Sequence, residues 1–309
     1  MRLRWLVMSA GLAILATSGC SVRKFAVNKV GDALASGGST YESDDDMELV
    51  GGALPFSLKL VESLLAESPK HRGLLLTAAS GFAEYGYAYV EEQADEEAGV
   101  NLDRSTALRA RARRLYLRGY RYGMRGLEAG YPGIGAAIAD DPAAALAHVK
   151  KRDVPLLYWT AAAHGLAISS SKDDPEMIAQ LPEVEALIKR ASELNQDWNG
   201  GALEEFLINV ESARAGVKAA DQQARMKTLF DRSEALSGGK RASLYVSYAE
   251  KAMVPAQNQA EFKALLEKAL AIDADREPET RLATLIAQRR ARWLLGRTDE
   301  LFLEGDTAK

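Results

Sequence analysis

Val154–Ser171 reads VPLLYWTAAAHGLAISSS and carries no formal charge between Asp153 and Lys172. Leu156, Trp159, Ala163, Leu166, Ala167 and Ile168 do not form one stripe. They spread around the circumference of a helix, and a helix that is apolar all round is buried on several sides. Asp153 stands where an N-cap belongs, and Pro155 suits a first turn. The apolar part is shorter than the ~20 residues a membrane span needs, and it ends in serines. The stretch predicts the central core helix of a soluble, all-helical protein. Tyr158, Trp159 and His164 are its only large side chains with polar atoms, so a ligand cavity is sought here first.

The remainder of the chain agrees with a helical reading. It has 309 residues, 47% hydrophobic and 27% charged, an ordinary globular balance. Ala, Leu, Glu and Arg dominate the second half, and only nine prolines interrupt the chain. Alternating β-branched runs are absent, so no sheet is expected. The formal charge of −4 lacks the basic excess of a nucleic-acid binder.

Residues 1–20 read MRLRWLVMSAGLAILATSGC. Arg2 and Arg4 form a basic start, Trp5–Ala16 an apolar run, and Thr17-Ser18-Gly19 a small-residue cleavage site before Cys20. Two readings stand. One is a plain secretory signal with an incidental cysteine. The other follows from resemblance to the bacterial lipobox, which implies cleavage after Gly19 and lipidation of Cys20. Ser21 then leans toward the outer membrane. Cys20 is the sole cysteine, so an intrachain disulfide is excluded. The domain plan is a leader over 1–19, a lipidated tether over 20–45, a helical body over 46–303 and a tail over 304–309. Phe25, Val27, Val30 and Leu34 recur near helical spacing, so part of the tether is expected to form a short helix.

Within the body, Leu54, Leu58, Val61, Leu64 and Leu65 mark a first amphipathic helix that ends at Ser68-Pro69. A second is predicted from Arg72 to Glu92. Gly81 and Gly86 lie inside it and imply close packing, because glycine there costs about 1 kcal/mol relative to alanine. A third runs over Ser105–Ala129. On it Arg111, Arg114, Arg118, Arg121 and Arg125 fall within an arc of ~80°. The stripe is either a solvated face paired with nearby acids such as Glu91, Glu92, Glu96 and Glu97, or a surface for an anionic ligand, a lipid headgroup or an acidic partner. Arg114, Arg118 and Arg121 are its candidate binding residues.

Further on, turns near Asn195, Ser237 and Asp273 are spaced like tetratricopeptide hairpins. The full consensus is missing. The expected fold is therefore all-α, with degenerate tetratricopeptide-like helical-hairpin repeats forming one compact solenoid-like domain.

A catalytic constellation is not visible. His71, His148 and His164 form no HExxH pattern, and GxSxG, a P-loop and GxGxxG after a strand are absent. Neither an enzyme, a cofactor nor a metal site is expected. Glu204-Glu205 are adjacent on a helix and point apart. Seven of the eleven tyrosines fall between residues 85 and 131. They are either half-buried packing residues or the polar lining of a ligand channel. Tyr116, Tyr120, Tyr158 and Trp159 are the channel candidates.

The phrases Leu115-Tyr116-Leu117-Arg118-Gly119-Tyr120-Arg121-Tyr122-Gly123 and Leu157–Ala163 resemble the TatT component family of TRAP transporters. So do Ser237-Gly238-Gly239-Lys240, Tyr248-Ala249-Glu250 and Gln288–Leu295. The resemblance covers about residues 25–303. It implies a periplasmic lipoprotein that can form homotrimers and associates with the solute-binding subunit of a tripartite, ATP-independent transport system. It also implies a channel for hydrophobic or organic-acid ligands. The alternative from the same residues is a tetratricopeptide-type protein–protein scaffold in the cell envelope.

Overall fold

The structure is a computed structural model that describes residues 25–35, 39–171, 174–214 and 216–303. The leader over 1–19, Cys20 and the tail over 304–309 lie outside the described residues. Among the described residues every regular element is a helix. The chain opens with α1 (25–35), α2 (Ser39–Glu42), α3 (Met47–Glu67), α4 (Arg72–Tyr85), α5 (Glu92–Glu97) and α6 (Leu102–Gly130). It continues through α7 (Ile134–Asp140), α8 (Pro142–Leu146), α9 (Val154–Ser169), α10 (Pro175–Ile178), α11 (Leu181–Leu194) and α12 (Ala202–Ser212). The last third comprises α13 (Ala219–Ser237), α14 (Ala242–Tyr248), α15 (Gln259–Ala271), α16 (Arg281–Leu295) and α17 (Thr298–Leu301).

Local chemistry sets many of these boundaries. Asp46 accepts from the Leu49 amide at 2.9 Å to start α3, and Asn101 accepts from the Arg104 amide at 3.0 Å to start α6. Gly238, at φ 59°, closes α13 in the left-handed region that glycine enters at little cost. The helices that end at Leu194, Ser237 and Ala271 match the three predicted turns.

Helix α9 is the centre of the N-terminal half, with α6, α4 and α11 packed on it. Leu157, Ala161, Ala163 and His164 on it are fully enclosed. Glycines make the crossings close. A Cβ at Gly123 would stand 2.3 Å from Thr160 Oγ1, and one at Gly119 would stand 2.9 Å from the Ala79 carbonyl oxygen. Gly86 likewise leaves room for the Tyr116 ring, 2.7 Å from where its Cβ would be.

Buried side chains form one large cluster around α6, α9 and α11, a satellite between α3 and α4, and another large cluster over α13–α16. Helix α12 joins the two large ones. Its Leu203, Phe206 and Val210 face the first, and its Ile208 faces the second. The C-terminal half also returns to the N-terminal one, because Arg289 on α16 pairs with Glu92 on α5 at 2.7 Å. The two halves therefore meet on two sides.

Two expectations need correction. The Arg72–Glu92 helix is not uniform, because Gly86–Glu91 is a π-helical turn between α4 and α5. Asp153 sits at the N-cap of α9 but makes no capping bond. Its carboxylate is instead drawn to the Arg72 guanidinium and the Tyr131 hydroxyl. The short helix expected within the 20–45 segment forms as α1 and touches the body, where the Ser68 hydroxyl donates to Asn28 Oδ1 at 2.7 Å.

Candidate functional site

The seam where the two halves meet carries the densest set of unusual groups. Each side contributes a π-helical turn, Gly86–Glu91 from the N-terminal half and Ala249–Met253 from the C-terminal half. A π-turn widens the helix by one residue, costs hydrogen-bond quality, and is found often at functional positions. Arg290 of α16 lies between the two turns. It pairs with Glu250 at 3.1 Å and with Asp95 at 2.8 Å, and its side chain is only 8% exposed. Burial pushes the Glu250 carboxyl up, but Lys251 and Arg290 outweigh it and hold the group down at about 2.

The N-terminal wall is set differently. Tyr87 is 39% exposed, yet surrounding protein pushes its phenol well above the usual value, helped by Glu92 and Glu250. Glu84, three residues earlier, is also reached by solvent. Burial among protein groups raises its carboxyl to about 7, and Glu42 adds to the rise. Glu91 follows one turn on, raised by burial, and accepts from the Tyr116 hydroxyl. Glu92 is buried with Oε1 unpartnered. Burial lifts it to about 7 despite the Arg289 guanidinium.

The four aromatic candidates are not one lining. Tyr158 touches Trp159, Trp198 and Phe206 with ring centroids 5.0, 4.6 and 6.0 Å away. Burial raises its phenol, Glu205 and Glu84 add to the rise, and Arg241 opposes it. Trp159 is half-buried beside it. Tyr116 is fully enclosed and reaches the seam only through Glu91. Tyr120 belongs elsewhere: its hydroxyl donates to Glu183 at 2.8 Å and its ring stacks on His164 at 4.0 Å. His164 Nε2 in turn faces Gln180 Oε1 at 2.9 Å, so it is a hydrogen-bonded core histidine. A surface concavity of about 620 Å³ lined by residues such as Lys151, Glu185, Lys189 and Arg232 includes none of these aromatics.

The arginine stripe divides. Arg118 donates to Glu62 at 2.6 Å and lies 4.8 Å over the Phe82 ring. Arg111 and Arg125 cover the rings of Tyr85 and Tyr122 at 5.6 and 5.0 Å. Arg114 and Arg121 are exposed, with no ion pair among the described residues. The expected acids are engaged otherwise: Glu91 with Tyr116, Glu92 with Arg289, and Glu97 with Arg104. Glu84, Glu250 and Arg290 are not among the site candidates that the sequence offers, and Tyr87 enters it only as one of the seven clustered tyrosines. The spacing of residues 84, 87 and 91 on one helical face was the available signal. No group of three or more His, Cys, Asp or Glu side chains among the described residues is placed to hold a metal ion.

A helical body closed on itself around a polar seam, with transport-family phrases on its central helices, agrees with the family comparison. Residues 43–302 match the model of the TRAP transporter T-component family, and the chain belongs to that family. It is also 27% identical, over 308 residues, to an uncharacterized protein of Treponema pallidum (strain Nichols), an alignment covering 94% of this chain and 95% of the relative. Membership gives the protein a role with the TRAP transport system of the bacterial envelope.

Proposed function

We propose that the protein is a membrane-tethered, non-enzymatic T-component that binds a periplasmic solute-binding subunit and exchanges ligand with it. The observation that carries this reading is the family match over residues 43–302. The lipobox-like run before Cys20 supports a lipid anchor in the periplasm, with Ser21 favouring the outer membrane. The hairpins α12–α13 and α14–α15, closing at Ser237 and Ala271, support a degenerate tetratricopeptide-like body. Homotrimer formation is part of the same reading. Exposed Leu49, Phe56 and Leu60 on one face of α3 are the apolar surface available for it.

The seam is the proposed ligand position. Tyr158 and Trp159 offer apolar contact for a hydrophobic or organic-acid ligand, and the exposed Tyr87 adds a phenol on the N-terminal wall. Arg241 and Lys251 are the cations a ligand carboxylate would meet. They are held at 3.2 and 3.1 Å from Glu205 and Glu250. The ligand must compete with those carboxylates, so exchange rather than tight capture is the expected behaviour.

The test is affinity purification of the acylated protein from native membranes, with mass spectrometry of co-purifying proteins and small molecules. Recovery of a TRAP solute-binding subunit is expected. Reproducible recovery of envelope-assembly proteins alone would replace this reading with the scaffold.

A further inference from the structure

Helix α1 is docked along one side and exposed around the rest of its circumference. Its inner face is docked. His71 Nε2 lies 3.2 Å from the Asn28 carbonyl oxygen, and a Cβ on Gly31 would stand 2.9 Å from both His71 Nε2 and Leu74 Cδ1. Ala35 approaches Gly73 so closely that a Cβ there would be 2.8 Å from it. These contacts tie α1 to the end of α3 and the start of α4. Its outer residues have no such cover: Phe25 is 64%, Val30 51% and Leu34 37% exposed. Three large apolar side chains left in water on an eleven-residue helix call for an occupant.

Chain length and charge indicate which occupant. Phe25 is five Cα–Cα steps from Cys20, and an extended chain covers at most ~3.6 Å per step, so Phe25 lies within about 18 Å of the anchor. Arg23 and Lys24 lie in that stretch, and Lys29, which pairs with Asp32 at 3.8 Å, sits 5.8 Å over the Phe25 ring. Apolar residues interleaved with cations, next to a lipid anchor, suit the headgroup layer of an anionic bilayer.

We propose that α1 lies in the headgroup layer of the bilayer that holds Cys20, and that its dock on α3 and α4 fixes one orientation of the helical body to that surface. The inference rests on the anchor reading above. On this account α1 is an orienting element, and the body does not hang from a free tether.

The experiment uses the acylated full chain. Cys20 is the only cysteine, and acylation consumes its thiol, so Val30→Cys gives a single site for an environment-sensitive fluorophore. Val100→Cys, at an 86% exposed position, is the control. Both proteins are reconstituted on phosphatidylethanolamine–phosphatidylglycerol vesicles. The label at 30 is expected to shift to the blue, to be quenched by brominated lipid, and to react with aqueous dithionite several-fold more slowly than the label at 100. Equal dithionite rates at both positions on protein that still floats with vesicles would overturn the proposal and leave the anchor standing. Failure of the acylated protein to float would overturn the anchor, and the proposal with it. A label at 30 that is already shielded in the unacylated Cys20→Ser protein without vesicles would show that protein covers this face, and would also overturn the proposal.

Discussion

The guanidinium of Arg290 on α16 lies 2.8 Å from the carboxylate of Asp95 on α5, and the same guanidinium holds Glu250 from the other side. One cation thus ties both halves of the molecule together at the seam. Removing one member of a buried ionic set leaves the others uncompensated, at a cost of about 3–5 kcal/mol. Arg290→Met should therefore destabilise the protein by that order in urea titration. It should also increase the proteolytic sensitivity of the seam. A loss below about 1 kcal/mol, the range of surface pairs, would mean that solvent already screens the set.

The glycines of α6 and α3 make a second, paired prediction. Alanine normally gains about 1 kcal/mol over glycine inside a helix. At Gly123 the new methyl would meet Thr160, whose Oγ1 is held by the Leu156 carbonyl at 2.6 Å and whose Cα is only 3.1 Å away. Overpacking of this kind costs about 1–3 kcal/mol. Gly123→Ala should lower the melting temperature. Gly52→Ala, where nothing stands within 4 Å of the new methyl, should raise it. Equal effects at both sites would contradict the close α6–α9 crossing.

The central helix, the glycine contacts and the turn positions were legible because each depends on local composition or spacing. Val154–Ser169 is apolar all round, and burial on several sides follows from that alone. The seam was not legible in the same way. Arg289 meets Glu92 across 197 positions of sequence, and neither residue differs by type from a surface charge. The arginine stripe shows the limit clearly. Periodicity placed the five side chains on one face, but Glu62, the acid that meets Arg118, comes from a helix 56 residues earlier. The π-turns have no residue pattern of their own, so the change of register at Gly86 appears only in three dimensions.

Glu84 gives the seam a pH dependence with a definite sign. Burial raises its carboxyl from 4.5 to about 7 in the folded protein, with Glu42 adding to the rise. The folded state therefore binds more protons than the unfolded state across that window. Stability from this group is fully present below about pH 4.5 and is lost as pH rises through about 7. Glu92 acts in the same direction. Glu84→Gln removes the titration without disturbing any hydrogen bond seen among the described residues. The variant should flatten the decline in urea midpoint between pH 5 and pH 8, and should be more stable than the wild type at pH 8. An unchanged slope would place Glu84 in ordinary solvent.

The arginine stripe should separate stability from binding, provided its members are changed in the right groups. Glu62, 8% exposed at its side chain, takes Arg118, Lys59 and the Tyr122 hydroxyl. Burial pushes its carboxyl up, and those three partners pull it below the usual value. Arg118→Gln removes a charged partner from a mostly buried carboxylate, at an expected cost of about 1–3 kcal/mol. Arg114 and Arg121 make no such bond, and exposed changes of that kind stay within about 0.5 kcal/mol. A triple substitution would mix the two effects, so the double variant Arg114→Gln, Arg121→Gln is the informative one. If this face meets an acidic partner or lipid headgroup, the double variant melts like the wild type but binds more weakly. The difference should shrink as salt rises, because exposed charges are screened beyond about 8 Å at physiological ionic strength. Binding equal to wild type at low salt, measured by surface plasmon resonance against the solute-binding subunit and against anionic vesicles, would leave Arg114 and Arg121 as solvated charges.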